Sequence, residues 1–201
     1  MEELEGLEEE ETREWISELL DRFYLKYKVW SRLVEVVAEL DCLASLSVVS
    51  FNTDGMVRPI LTEQKGLVNI KGLVHPILKG MNSGFIENDL EMEESAPVVL
   101  LTGPNMGGKS TLLRSLAITV ILGQLGCHVP AKAATFTPVD RIFTRLGASD
   151  KLMEGKSTFF IELEETLTLL KQATSHSLCI LDELGRGTST FDGISIAYSC
   201  L

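Results

Sequence analysis

Residues Gly103 to Ser110 read Gly-Pro-Asn-Met-Gly-Gly-Lys-Ser, a spacing of glycine, lysine and hydroxyl that can wrap an anion. A loop of this kind turns successive backbone N–H groups inward, and the N-terminus of a following helix adds a positive dipole. Such a loop cradles phosphates. Its candidate contacts are Gly103, Pro104, Asn105, Met106, Gly107, Gly108, Lys109, Ser110 and Thr111. Lys109 would reach the β- and γ-phosphates of a nucleoside triphosphate, and the Ser110 hydroxyl would ligate Mg²⁺. A second group of residues complements the first. The apolar run Ser177–Leu181 leads straight into Asp182 and Glu183, the arrangement known as Walker B. Asp182 at a strand end would hold Mg²⁺ directly or through water. Glu183 would face the γ-phosphate and orient or deprotonate the attacking water.

These residues need elements to hold them. Val98–Leu101 reads as a buried strand before the loop, and Ser110–Ile121 as a helix after it. Between Thr12 and Ala44 apolar residues recur every three or four positions (Ile16, Leu19, Phe23, Tyr27, Trp30, Val34, Val37, Leu40). That spacing predicts one long helix, either a strut or an ordinary surface helix. Asn52–Gly55 is turn chemistry. The segments 57–61, 67–70 and 73–78 read as short strands, cut by Gly66, Gly72 and Pro76, and residues 87–96 as an acidic loop. Strand signals recur within 126–138 and at Asp140–Leu146. Phe160, Leu163, Leu167, Leu170 and Ala173 mark a further amphipathic helix. Alternating strands and helices around a phosphate loop predict a three-layer α/β sandwich with a mainly parallel sheet. The division expected is a lever-type helix over 1–50, a short-strand segment over 51–96 and the nucleotide core over 97–201.

Composition narrows the classes. The chain has 201 residues, 45% of them hydrophobic, enough for a packed core. No run of 18 apolar residues exists, so no membrane-spanning helix is expected. The Glu-rich start has the character of neither a secretory signal nor a transit peptide. Cys42, Cys127, Cys179 and Cys200 stand singly, which favours small buried hydrophobes in a reducing compartment over a metal site or a disulfide framework. The net charge is −11, and the acidic excess falls within residues 1–96, where 20 Asp/Glu face 9 Lys/Arg. Seven glutamates lie between Glu2 and Glu11, a solvated helix start or a disordered tail. This acidity argues against a main DNA-gripping surface, which needs Lys and Arg.

The wording around the motifs narrows the family. Residues 102–111, 141–150, 155–162 and 182–193 resemble the ATPase domain of the MutS family of DNA mismatch-repair proteins, and the finer wording resembles its eukaryotic homologue-six branch. The resemblance implies an ABC-type ATPase that binds ATP and Mg²⁺ and works in the nucleus as one subunit of a dimer, with a heterodimer partner from the same family. Mismatched double-stranded DNA would be bound through regions this chain lacks. By the same resemblance Ser157 reaches the γ-phosphate held by the partner subunit, and Asn105 contacts phosphate. Phe85 and Ile86 match the adenine-packing position, although Phe85 could equally be a core residue. Residues 185–190 would lie at the dimer interface, and the N-terminal helix would end the lever joining ATPase to DNA clamp.

The chain also departs from the family. Val74 precedes His75-Pro76 where an arginine is usual. By the resemblance, the mismatch-binding and connector domains would lie before these residues and the switch histidine and C-terminal helix-turn-helix after them, and an unpaired sheet edge is expected for this stretch by itself. Two other readings stand beside an ATPase of mismatch repair: a nucleotide-binding and interaction module without turnover of its own, and a related ATPase of recombination. An ABC transporter subunit is disfavoured, because no Leu-Ser-Gly-Gly-type signature lies between the nucleotide motifs.

Overall fold

A computed structural model describes residues 2–81, 84–146 and 158–200. In chain order the elements are α1 (Glu2–Tyr24), α2 (Tyr27–Asn52), β1 (Ile60–Leu61), β2 (Val68–Leu73), α3 (Pro76–Met81), β3 (Asn88–Met92), α4 (Lys109–Gln124), β4 (Ala133–Phe136), β5 (Ile142–Arg145), α5 (Thr158–Gln172), β6 (Leu178–Leu181) and α6 (Thr190–Cys200). They fall into two compact units, Met1–Val49 and Ser50–Leu201. Among the described residues no helix is long and apolar enough to cross a membrane.

The first unit holds α1 and most of α2. The acidic run opens α1. The single helix expected from periodicity is two, broken at Leu25–Lys26, where Lys26 N–H bonds Phe23 O and Val29 N–H bonds Lys26 O. These three-residue steps are tighter than an α-helix allows. The rings flank the break in pairs: Phe23 stacks on Trp30 at 5.5 Å and Tyr24 on Tyr27 at 5.7 Å. Each such pair contributes about 0.5–1.5 kcal/mol, of the order of the lost helical bond. Apolar spacing reports a helical face and carries no information about where the ladder slips.

In the second unit the largest sheet has the order β1-β4-β2-β3. β1 runs parallel to β4 (Ile60↔Thr135), while β2 is antiparallel to both β4 (Val68↔Phe136) and β3 (Val68↔Met92). A separate two-stranded sheet pairs β5 with β6 in parallel, from Ile142↔Leu178 to Arg145↔Leu181. The mainly parallel three-layer sandwich is therefore not what forms: the fold is mixed α/β with short sheets. The run Val98–Leu101 makes no ladder, and Val98, Val99 and Leu100 are 57%, 44% and 78% exposed. Hydrophobicity marks a segment as strand-like, but a strand exists only where a neighbour takes its N–H and C=O groups.

Local chemistry corrects other boundaries. Residues 88–92 form the edge strand β3 rather than a loop, with Leu90 and Met92 against the core and Asp89 and Glu91 beside Lys71 at 3.7 and 4.0 Å. Gly72 does not end β2; the register shifts there and its N–H donates to Asp89 Oδ1 at 2.8 Å, as at a bulge. Residues 76–81 are helical because Pro76 takes the first helical position and His75 Nδ1 accepts from the N–H groups of Ile77 and Leu78. Cys127 is buried and Cys200 half-buried, but Cys42 and Cys179 are exposed, so the cysteines are not a uniformly buried set.

One core joins both sheets to α4. Ile70, Leu73, Val129 and Phe136 are fully buried, with Leu116 and Val120 of α4 and Leu178 and Ile180 of β6 packed into the same cluster. Gly123 lies so close to Phe136 that a Cβ there would stand 2.4 Å from the ring. Sheet and helix thus meet at the far end of α4, and α4 begins at the phosphate-loop lysine.

Candidate functional site

The loop before α4 turns tightly. Gly107 N–H donates to Pro104 O at 3.1 Å, and a Cβ on Gly107 would meet that oxygen at 2.9 Å. Gly108 caps α4 at φ 86°, a left-handed conformation in which glycine carries no Cβ penalty. Met106 is also left-handed at φ 63° and fully exposed. Lys109 leans over the loop, its Nζ donating to the carbonyls of Gly103 and Pro104 at 2.8 Å each. Thr111 lies in the first turn, its carbonyl accepting from Ser115 Oγ at 2.7 Å. Asn105 is exposed at the loop tip.

Across the chain, Ser110 Oγ donates to Asp182 Oδ2 at 2.5 Å, both residues being half-buried. The carboxylate is where β6 leaves it, one residue past the strand end, with its own N–H donating to Arg145 O at 2.8 Å. Two residues 72 apart are thereby brought into contact. A hydroxyl and a carboxylate oxygen facing each other are hard donors that suit Mg²⁺. Glu183 follows at φ 51°, left-handed and uncommon for a residue with a side chain. Its carboxylate is engaged by Arg186 Nη1 at 2.5 Å, an exposed pair.

The other residues singled out by motif are less gathered. Phe85 is half-buried and Ile86 is 78% exposed, both just ahead of β3, and the Ile86 carbonyl accepts from Asn88 Nδ2 at 3.1 Å. Ser157 lies outside the described residues. A charged pair that motif reading left without a role, Arg145 and Glu162, is buried beside the turn after β6. A signal for Glu162 existed: it shares a 4-3 spacing with Thr166 and Leu169, all three buried. The stripe expected to face the core is instead outward, with Phe160, Leu163, Leu167 and Leu170 between 38% and 53% exposed. An apolar count misses a helix face that is buried through an ion pair.

An α/β protein in which a glycine-rich loop opens a helix toward a strand-end carboxylate is the class that fold and geometry define. Comparison with known proteins names the family. MutS domain V matches residues 99–201. The DNA mismatch repair protein Msh3 of Dictyostelium discoideum is 47% identical over 98% of this chain and 14% of its own length. The DNA mismatch repair protein Msh6 of Homo sapiens is 48% identical over 89% and 14%, and the DNA mismatch repair protein MutS of Lactococcus lactis subsp. cremoris (strain SK11) 47% identical over 84% and 20%. The chain belongs to the MutS family, and residues 99–201 are its domain V, the ATPase domain of the family's mismatch-repair proteins. It spans 14–20% of the length of these relatives. Msh6 stands among them beside Msh3 and bacterial MutS at similar identity, so the match does not select a cellular compartment.

Proposed function

We propose that this chain is the ATP-binding and hydrolysing module of a MutS-type DNA mismatch-repair protein, and that ATP-driven closure of two such modules is coupled to mismatched DNA held elsewhere in the longer protein. The observation that carries the reading is the Ser110–Asp182 contact at 2.5 Å, which joins the end of the phosphate loop to the strand-end carboxylate. Gly103 to Thr111 supply backbone N–H donors and the α4 dipole to the phosphates, and Lys109 adds a charge that moves from the loop carbonyls to the β- and γ-phosphates. Ser110 and Asp182 would hold Mg²⁺, whose positive charge would offset that of the phosphates. Glu183 takes the proton of the attacking water while the water oxygen bonds the γ-phosphorus and the bond to the ADP oxygen breaks, giving ADP and phosphate. Ser157 acts on the nucleotide of a second family subunit, and Phe85 with Ile86 packs the adenine. A eukaryotic bearer of this module works in the nucleus.

A second reading, a module that binds nucleotide without turning it over, draws support from the Glu183–Arg186 pair, which occupies the carboxylate needed for water. One experiment separates them. Mg-ATP hydrolysis per protomer is measured across a wide concentration series, with Mg-ATP binding followed in parallel, for the parent and Glu183→Gln. The hydrolytic reading expects turnover by the parent, and E183Q binding as the parent does while turning over about 10²- to 10⁴-fold more slowly. Specific activity that rises with concentration assigns that turnover to a composite dimer site, and turnover that persists on dilution rules out the second reading. Equal rates for parent and variant sink the role of Glu183. Binding without turnover at any concentration selects the second reading.

A further inference from the structure

The turn that carries Glu183 is anchored at both ends by the same pair of residues. At its start, Asp182 N–H donates to the carbonyl of Arg145, the last residue of β5. At its end, Gly185 N–H donates to Glu162 Oε1 on α5. The two anchors are themselves joined, since Arg145 Nη2 lies 3.8 Å from Glu162 Oε2 and its Nε lies 3.1 Å from Glu165 Oε2. Glu162 is 3% exposed and Arg145 9%. Between the anchors sits Glu183 in its left-handed conformation, which persists only where the surroundings over-determine it.

The approach around the turn is close. A Cβ on Gly185 would stand 2.5 Å from Gly193 Cα of α6, and one on Gly187 would stand 3.0 Å from Phe159 Cα and 3.2 Å from Glu162 Oε2 of α5. The turn is therefore pinched between two helices, and the buried carboxylate is the contact that fixes its height. A buried ion pair is weak support for stability alone, because apolar residues of similar volume serve as well. An acceptor aimed at one backbone N–H serves a different purpose: it sets where the residue two positions earlier points.

We propose that Glu162 is a positioning residue for hydrolysis, holding the Gly185 N–H so that the Glu183 carboxylate is presented to the attacking water. The proposal rests on the hydrolytic reading of Glu183 given above. It assigns a task to a residue outside both nucleotide motifs, and it places that task on α5, whose first described residue directly follows Ser157 in the chain.

The test uses the full chain with Mg-ATP and four variants: Glu162→Ala, Glu162→Gln, Glu183→Gln and the E162A/E183Q double. E162A lowers kcat about 10- to 100-fold, the usual cost of losing an orienting partner, with KM within twofold of the parent. E162Q restores most of the rate, because its amide oxygen still accepts from Gly185 N–H. In the E183Q background, E162A costs nothing further, since both act through one carboxylate. Should E162A not fold, Glu162→Met fills the same volume without an acceptor and carries the same expectation, with faster amide exchange at Gly185.

Three outcomes overturn the proposal: E162A and E162M at the parent rate, KM rising in step with the loss of kcat, or losses that multiply in the double variant. A parent that does not turn over, or an E183Q variant as fast as the parent, removes the hydrolytic reading and this proposal together. A slow E183Q beside an unaffected E162A removes this proposal alone.

Discussion

Asp140 shows how one carboxylate fixes two connections. It precedes β5 and accepts from Thr174 Oγ1 and Ser177 Oγ at 2.7 Å each, tying the approach to β5 to the α5–β6 turn. Those two hydrogen bonds stabilise the ionised form and hold its pKa below the ordinary 3.8. The sign of the pH effect follows. A carboxylate with a lowered folded value adds stability that is fully present above the ordinary value and is lost as pH falls through the lowered one. Asp140→Asn removes the charge, so its urea midpoint should lie below the parent's at neutral pH. The gap should hold down to about pH 4 and close in stronger acid, where the parent becomes neutral too. A gap that stays constant into strong acid would assign the effect to packing instead.

At this scale the phosphate-loop residues and the two strand-end acids could be singled out as candidates from the sequence, because each group is contiguous in the chain and its chemistry is local. Arg145 and Glu162 were left without a role. The spacing of Glu162 with Thr166 and Leu169 marks a helix face, but the pairing with Arg145 lies in a contact between a strand end and a helix, which no local pattern encodes.

Elements carry these residues by packing, and α4 is the clearest case. Its N-terminal turn holds Lys109 and Ser110, while its C-terminal end rests on β4 through Gly123 against the fully buried Phe136. A side chain at Gly123 forces α4 off the sheet or the ring out of the core, an overpacking cost of about 1–3 kcal/mol. Gly123→Ala should therefore lower the unfolding free energy by that amount, read as a lower urea midpoint at unchanged m. It should also weaken Mg-ATP binding, since displacing the helix moves the Ser110 hydroxyl from Asp182. A destabilised variant with unchanged binding would show that the loop is placed independently of the helix end. Periodicity found α4, α5 and the β5–β6 segments but missed partners and faces. Val98–Leu101 is apolar without a ladder, and α5 leaves its Phe160–Leu170 stripe outward while burying Ile161, Glu162, Thr166 and Leu169. Strand direction escaped for a related reason, since β2 takes antiparallel neighbours on both edges.

The two units of the molecule differ in what holds them. From Trp15 to Val49 the large apolar side chains of α1 and α2 stand mostly open, with Trp15 at 71%, Leu19 at 67%, Val34 at 67% and Leu40 at 65% exposure. Helices of this length draw most of their stability from a buried face rather than from propensity. Residues of the second unit such as Ile70, Val120 and Phe136 are by contrast at most 1% exposed. Local opening free energy should follow that difference. Amide exchange across residues 12–49 is expected at least about a hundredfold faster than across 116–120 and 134–136, an opening gap of about 3 kcal/mol. Exchange followed by mass spectrometry at two protein concentrations checks it. Equal protection at both concentrations would mean that the helices are stable without a buried face. Protection that appears only at the higher concentration would mean that association covers their apolar side chains.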